Sequence, residues 1–180
     1  AAFSMPAKAD DAEWGRAALS AIGAFQRSHE VAPFSSKYDA WLRGQTSLSD
    51  AESRGLKLFA GKKKGNCIAC HAFEQNSKNP ADHLFTDFAY RNIGVPRNTA
   101  IAANLDDKIF DLGLCGPARK RPKGVNNICG TFKVPTLRNV AKRPFLFHNG
   151  SFTKLDEAVR FYVERDTRPE KWYPLSANGK

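Results

Sequence analysis

The chain has 180 residues, 42% of them apolar and thirteen of them Phe, enough to bury the core of one domain or of one and a half small ones. No run of eighteen apolar residues occurs, which argues against a membrane-spanning helix, and the opening AAFSMPAKAD lacks the basic-then-apolar pattern of a secretory signal, as expected of a processed chain or a fragment. The net charge of +10 lies in short patches, Lys62-Lys63-Lys64 and Arg119-Lys120-Arg121 with Lys123, without the interleaved aromatics that stack bases, so nucleic acid is not the expected partner. A docking face for an acidic protein, or a solvated surface, fits better.

Residues 10–29 read as an amphipathic helix capped by Asp10 or Asp11, with Trp14, Ala18, Ala21, Ile22 and Phe25 as its apolar stripe and Pro33 beyond its end. VAPFSSKYDAWLRGQTSL reads as a connector with one short helix around residues 38–43. Ser49-Asp50-Ala51-Glu52 is a capping box opening a helix that carries Leu56 and Phe59 on one face and ends near Gly61. Residues 72–100 are rich in turn signals, and 101–114 hold a short helix or turn. A final helix is expected over residues 154–165, with Leu155, Ala158, Val159 and Tyr162 on one stripe. Little strand signal appears, so the class is mainly α with long ordered loops.

Four cysteines divide into two pairs. Cys115 and Cys129 flank a loop rich in Gly, Pro and charge and are expected to form a disulfide, which points to an oxidising compartment. Closing about fifteen residues adds roughly 3 kcal/mol on the chain-entropy model. Cys67 and Cys70 stand in Cys67-Ile68-Ala69-Cys70-His71. Three readings compete there. A redox dithiol should open a helix after a buried strand, but a helix and a basic loop precede it. Zinc needs a second ligand pair, and the spacing of Cys115 and Cys129 supplies no compact one. A c-type haem needs no partner motif: two thiols two residues apart add to two vinyl groups, and the adjacent His meets the iron. The context favours haem.

Three stretches together, SLSDAESRGLKLFAGKKKGNCIACH, FTDFAYRNIGVP and FKVPTLRNVAKRPFLFHNGSFTKLDEAVRFY, resemble the C-terminal haem domain of bacterial dihaem cytochrome c peroxidases and their MauG-type relatives. AALSAIGAFQRS and SSKYDAWLRGQ resemble the helix and connector preceding that domain. The resemblance implies a cytochrome c-like haem domain over residues 47–180 and a remnant of the preceding region over 1–46. Family members carry two haems, one peroxidatic and one six-coordinate and electron-handling; one C-x-x-C-H here implies one covalent haem c of the second kind.

The proximal ligand is expected to be His71. Methionine is the usual sixth ligand in electron-transfer cytochromes, but the one Met is Met5, near the terminus, and is not expected to ligate. His29, His83, His148 and four tyrosines remain. Periodicity alone makes Tyr162 a core aromatic. The resemblance places it where the peroxidases carry their distal Met and the MauG-type relatives a Tyr, and implies His71/Tyr162 ligation of the iron. It also sets His148 beside the haem, with a propionate or backbone hydrogen bond, or a ligand or proton-transfer role. Arg138 and Asn139 would support the haem edge, with helix-end packing as the alternative. The family's calcium site uses carbonyls before this His; Ala141-Lys142-Arg143-Pro144 and the longer PFLFH here count against calcium. The segment from Glu164 to Pro174 covers the domain or meets a partner.

These readings imply a periplasmic c-type haem protein passing electrons within peroxide-dependent oxidation, an oxidoreductase part rather than a complete peroxidase. Its partner would be an acidic redox protein or a second haem-bearing polypeptide or domain. The alternative is a one-haem electron carrier or docking subunit without peroxidase activity.

Overall fold

A computed structural model describes residues 10–116 and 128–173. Met5, the Arg119–Lys123 patch and Pro174 lie outside the described residues. Helix α1 spans Asp11–Gln26, opened by a reciprocal capping box between Asp10 and Glu13. It stops three residues short of the expected end, because the N–H groups of Arg27 and Ser28 turn back to the carbonyls of Ala24 and Phe25 and tighten the last turn. No residue of α1 is buried, and Trp14, Ile22 and Phe25 are each more than half exposed. The stripe read from the sequence is present but faces no core among the described residues.

Helix α2, Lys37–Leu42, is capped by Ser36 and Asp39. Helix α3, Asp50–Ala60, begins at the Ser49–Glu52 box. Glu52 also receives Lys37 Nζ at 2.6 Å, which ties α2 to α3 and, as the first cause, holds its carboxyl down at about 2. Although Tyr38 and Asp39 fall in the stretch expected as connector, they bond to His83 and Arg138.

Beyond α3 the chain runs mainly in loops and short 3-10 turns. Two-residue strands β1, Tyr90–Arg91, and β2, Phe132–Lys133, pair antiparallel with Tyr90 opposite Lys133. The Cys115–Cys129 disulfide forms as expected. Beside it Gly113 adopts φ 53°, and a Cβ there would lie 2.3 Å from the Thr131 carbonyl oxygen, so only glycine fits.

Helix α4, Leu155–Glu164, matches its expected range within a residue at each end. Helix α5, Pro169–Trp172, was not expected; Pro169 at its first turn is the signal for it. The core sits where α4 packs on Leu146 and Phe152 through Ala158 and the fully buried Phe161, with Phe147 and Trp172 against them. The expected α4 stripe therefore divides. Ala158 faces inward, but Leu155, Val159 and Tyr162 are 40%, 56% and 47% exposed. Helical spacing marks two apolar faces on α4, and the aromatic cluster selects the one bearing Phe161.

Candidate cofactor-attachment site

The turn that follows α3 is closed by Gly65 and Asn66, both left-handed at φ 71° and 51°. A Cβ on Gly65 would stand 2.4 Å from the Leu58 carbonyl oxygen, so glycine is required for the chain to fold back along α3. The 3-10 turn Cys67–Ala69 comes next. With three residues per turn, Cys67 and Cys70 fall on one face. Both are free thiols, Cys67 exposed and Cys70 partly so. Burial pushes the Cys67 thiol above its ordinary pKa, with Cys70 adding to the rise against a backbone hydrogen bond. A redox-active dithiol needs the opposite shift. Among the described residues no group of three or more His, Cys, Asp or Glu side chains is placed to hold a metal ion, so the zinc reading finds no second ligand pair there.

His71 follows directly, its N–H bonded to the Cys67 carbonyl at 2.8 Å. Its Nδ1 lies 3.0 Å from the Phe85 carbonyl oxygen. A carbonyl only accepts, so Nδ1 carries the proton and Nε2 keeps the lone pair, the tautomer a metal requires. Burial lowers the ring's pKa, against the Phe85 and Pro135 carbonyls and Asp87, and favours the neutral form. The strand of chain opposite is tied to the motif by Thr86 N–H to the Ala72 carbonyl and Asp87 N–H to the Cys70 carbonyl, both 3.0 Å.

Tyr162 is carried by α4. Burial raises its phenol pKa; Arg165 opposes, and Cys70 and Cys67 add to the rise, so both thiols lie close enough to act on it electrostatically. Its ring packs 5.7 Å from Phe147. Cys67, Cys70 and His71 thus lie within one turn of chain, and the Tyr162 phenol is within electrostatic reach of both thiols. By donor chemistry this set fits a covalently attached haem.

The other candidates have the following surroundings. His83 is 1% exposed with both ring nitrogens engaged, Nδ1 with Tyr38 Oη at 3.0 Å and Nε2 with the Ser77 carbonyl at 2.9 Å, so it offers no lone pair to a metal. His29 is exposed beyond α1. His148 stacks on Phe132 at 3.4 Å, with Nε2 3.9 Å from Asp111 Oδ2; burial lowers its pKa and Asp111 opposes. Asn139 takes φ 58° before a 3-10 turn. Arg138 donates from Nη1 to Asp39 Oδ1 at 2.6 Å, from Nε to the His83 carbonyl at 2.7 Å and from Nη2 to the Pro80 carbonyl at 2.8 Å. Asp39, 1% exposed, is the partner of Arg138 that the sequence reading missed, since 99 residues separate the two and no local pattern links them.

Burial pushes the Asp39 carboxyl up, but hydrogen bonds from Ser36 and Arg138 outweigh it and hold the pKa below the ordinary value. A depressed folded-state pKa contributes stability above the unfolded-state pKa, and that contribution is lost as pH falls through the folded-state value. Asp39→Asn is therefore expected to flatten the acid limb of stability against pH, read as the urea midpoint between neutral pH and pH ~2. An unchanged slope would refute the assignment.

No family model matches the chain. The methylamine utilization protein MauG of Paracoccus denitrificans is 38% identical over 157 residues, which cover 84% of this chain and 38% of that protein. The cytochrome-c peroxidase IdrP1 of Denitromonas iodatirespirans is 30% identical over 176 residues, 84% of this chain and 42% of that protein. The crystal structure of the dihaem peroxidase BthA from Burkholderia thailandensis superposes with a TM-score of 0.81 at 43% identity, over 91% of this chain and 40% of that one. The chain is a homologue of the dihaem cytochrome c peroxidase/MauG family. It spans about 40% of the length of these family members, and its mostly helical fold is cytochrome c-like by that homology. No described helix is long and apolar enough to cross a membrane.

Proposed function

We propose that this chain is a c-type haem domain of a dihaem peroxidase-type protein, in which one haem held by Cys67, Cys70, His71 and Tyr162 passes electrons during peroxide-dependent oxidation. The observation that carries the reading is the Cys67–His71 motif with its imidazole held through Nδ1 by the Phe85 carbonyl at 3.0 Å, and with Tyr162 within electrostatic reach of both thiols. Bound there, the haem would supply an iron centre cycling between oxidation states.

The chain's own residues have distinct tasks. Cys67 and Cys70 fix the group by two thioether bonds. His71 presents Nε2 while Phe85 holds Nδ1–H, which orients the ring and raises its basicity. Tyr162 would bind as phenolate, losing to the ferric ion a proton that the protein alone holds on it. An anionic oxygen ligand favours the ferric state and lowers the potential, which suits stored oxidising equivalents better than simple shuttling. The domain would span residues 47–180. His148 would stand beside the haem, with Asp111 at its outer nitrogen. The partner is an acidic redox protein or a second haem-bearing domain, drawn by Lys62-Lys63-Lys64, exposed immediately before the motif. Thioether attachment and a disulfide would both suit the bacterial periplasm, which is the compartment proposed for the chain.

The test is a UV–visible and EPR spectrum of the ferric protein alongside intact mass. One haem of added mass is expected, with a low-spin signal that Tyr162→Phe converts or abolishes. A spectrum unmoved by that substitution would remove Tyr162 from the iron.

A further inference from the structure

We propose that the buried Arg138–Asp39 ion pair positions His71: by holding the backbone of residues 83–85 it fixes the carbonyl that orients the imidazole, and so sets the reduction potential of the haem. The inference rests on His71 being the iron ligand, as proposed above.

Three consecutive carbonyls in this segment each accept one side-chain donor. Arg138 Nε donates to His83 at 2.7 Å, Thr136 Oγ1 to Leu84 at 2.6 Å, and His71 Nδ1 to Phe85 at 3.0 Å. Phe85 itself has φ 55°. That conformation is sparsely populated for a bulky residue and persists only where surrounding contacts over-determine it. Here they do. Thr86 Oγ1 donates to the Val134 carbonyl at 2.7 Å, and the Arg138 guanidinium lies 5.5 Å from the Phe85 ring centroid and 5.0 Å from that of Phe34.

The clamp is anchored in turn by Asp39. Its Oδ1 takes Arg138 at 2.6 Å, and its Oδ2 takes the Ser36 N–H and hydroxyl at 3.0 and 2.5 Å. Both carboxylate oxygens are thus engaged. A buried ion pair is weak evidence for stability, because desolvation offsets the attraction. Its geometric effect is clearer: one planar guanidinium reaches Asp39, the His83 carbonyl and the Pro80 carbonyl at once, which a lysine ammonium cannot reproduce.

The consequence runs through the Nδ1–H bond. A well-placed carbonyl raises the donor strength of Nε2, which favours ferric iron. Releasing residues 83–85 lets Phe85 leave its left-handed conformation and weakens that bond, so the potential rises.

The experiment compares haem-loaded wild type, Asp39→Asn and Arg138→Lys by redox titration, EPR, intact mass and thermal midpoint. Both variants are expected to keep the haem mass and a low-spin signal while favouring Fe(II) about tenfold, a rise of about 59 mV. Lysine retains the charge without the bridge, so it should not restore the wild-type potential. Lowered thermal midpoints with an unchanged potential would make the pair structural only and overturn the inference. A wild-type chain with no covalent haem would overturn the proposed function and this inference with it.

Discussion

Replacing Cys67 and Cys70 together with alanine is expected to abolish covalent haem attachment. Each thiol can add to one vinyl group, so in the proposed site two thioether bonds would hold the cofactor, and losing one thiol would leave a single bond while losing both would leave none. Intact mass should fall by one haem, and acid–organic extraction should remove whatever colour remains. The two cysteines are the free thiols among the described residues, and they stand at the start and just past the end of a single 3-10 turn. Cys115 and Cys129 are already joined, so replacing them with serine should leave the haem mass intact while lowering stability by about 2–5 kcal/mol. Covalent haem surviving in the double alanine variant would place the attachment point elsewhere and sink the proposed function.

Phe161→Ala is expected to be the most damaging single change in the core. Phe161 is 0% exposed and meets Phe147, Phe152, Tyr162 and Trp172 at ring distances of 5.4 to 5.9 Å. Truncating a buried Phe removes its transfer free energy and leaves a cavity, at a cost of about 3–5 kcal/mol. A chain of this size should then melt roughly 6–20 °C lower. Few other apolar side chains are available to compensate, since among the described residues the buried hydrophobic ones besides Phe161 are Val134, Leu146, Phe152 and Ala158. The damage should reach the site as well, because Phe147 packs against both Phe161 and Tyr162. Val163, two residues on and 70% exposed, is the control: Val163→Ala should stay within about 0.5 kcal/mol of wild type. Equal melting of the two variants would show that the aromatic cluster is not the core of this protein.

The two expected results differ in how they became legible. Cys67, Cys70 and His71 occupy five consecutive residues, and the Ser49–Glu52 box three residues apart opens the helix before them. Chemistry and capping at such short range depend on backbone geometry that local residues dictate, so the chain order alone displayed them. The same holds for the disulfide across the 115–129 loop, where proximity in sequence made pairing the natural reading. Tyr162 was a harder case. Spacing on a helix made it look like core, and only the resemblance to a family suggested it for the iron; in the structure it is about half exposed and within electrostatic reach of the thiols.

Which apolar face of a helix meets a core depends on what arrives from distant chain. Helix α4 has two such faces, and Phe147, Phe152 and Trp172 chose the one bearing Phe161. Helix α1 has an equally clear stripe and buries nothing. Periodicity states that a face can be buried, whereas burial needs an opposing surface. The support behind His71 is further still from local pattern. Asp39, Arg138 and the Phe85 carbonyl come from three separated segments, joined by hydrogen bonds spanning up to 99 residues. By itself, then, the sequence determined the Cys67–His71 motif, the start of α3 and the resemblance to a family, because each is written in neighbouring side chains. Tertiary structure decided the buried ion pair, the left-handed Phe85 and the placing of Tyr162, because those positions are set by contacts between residues that only folding brings together.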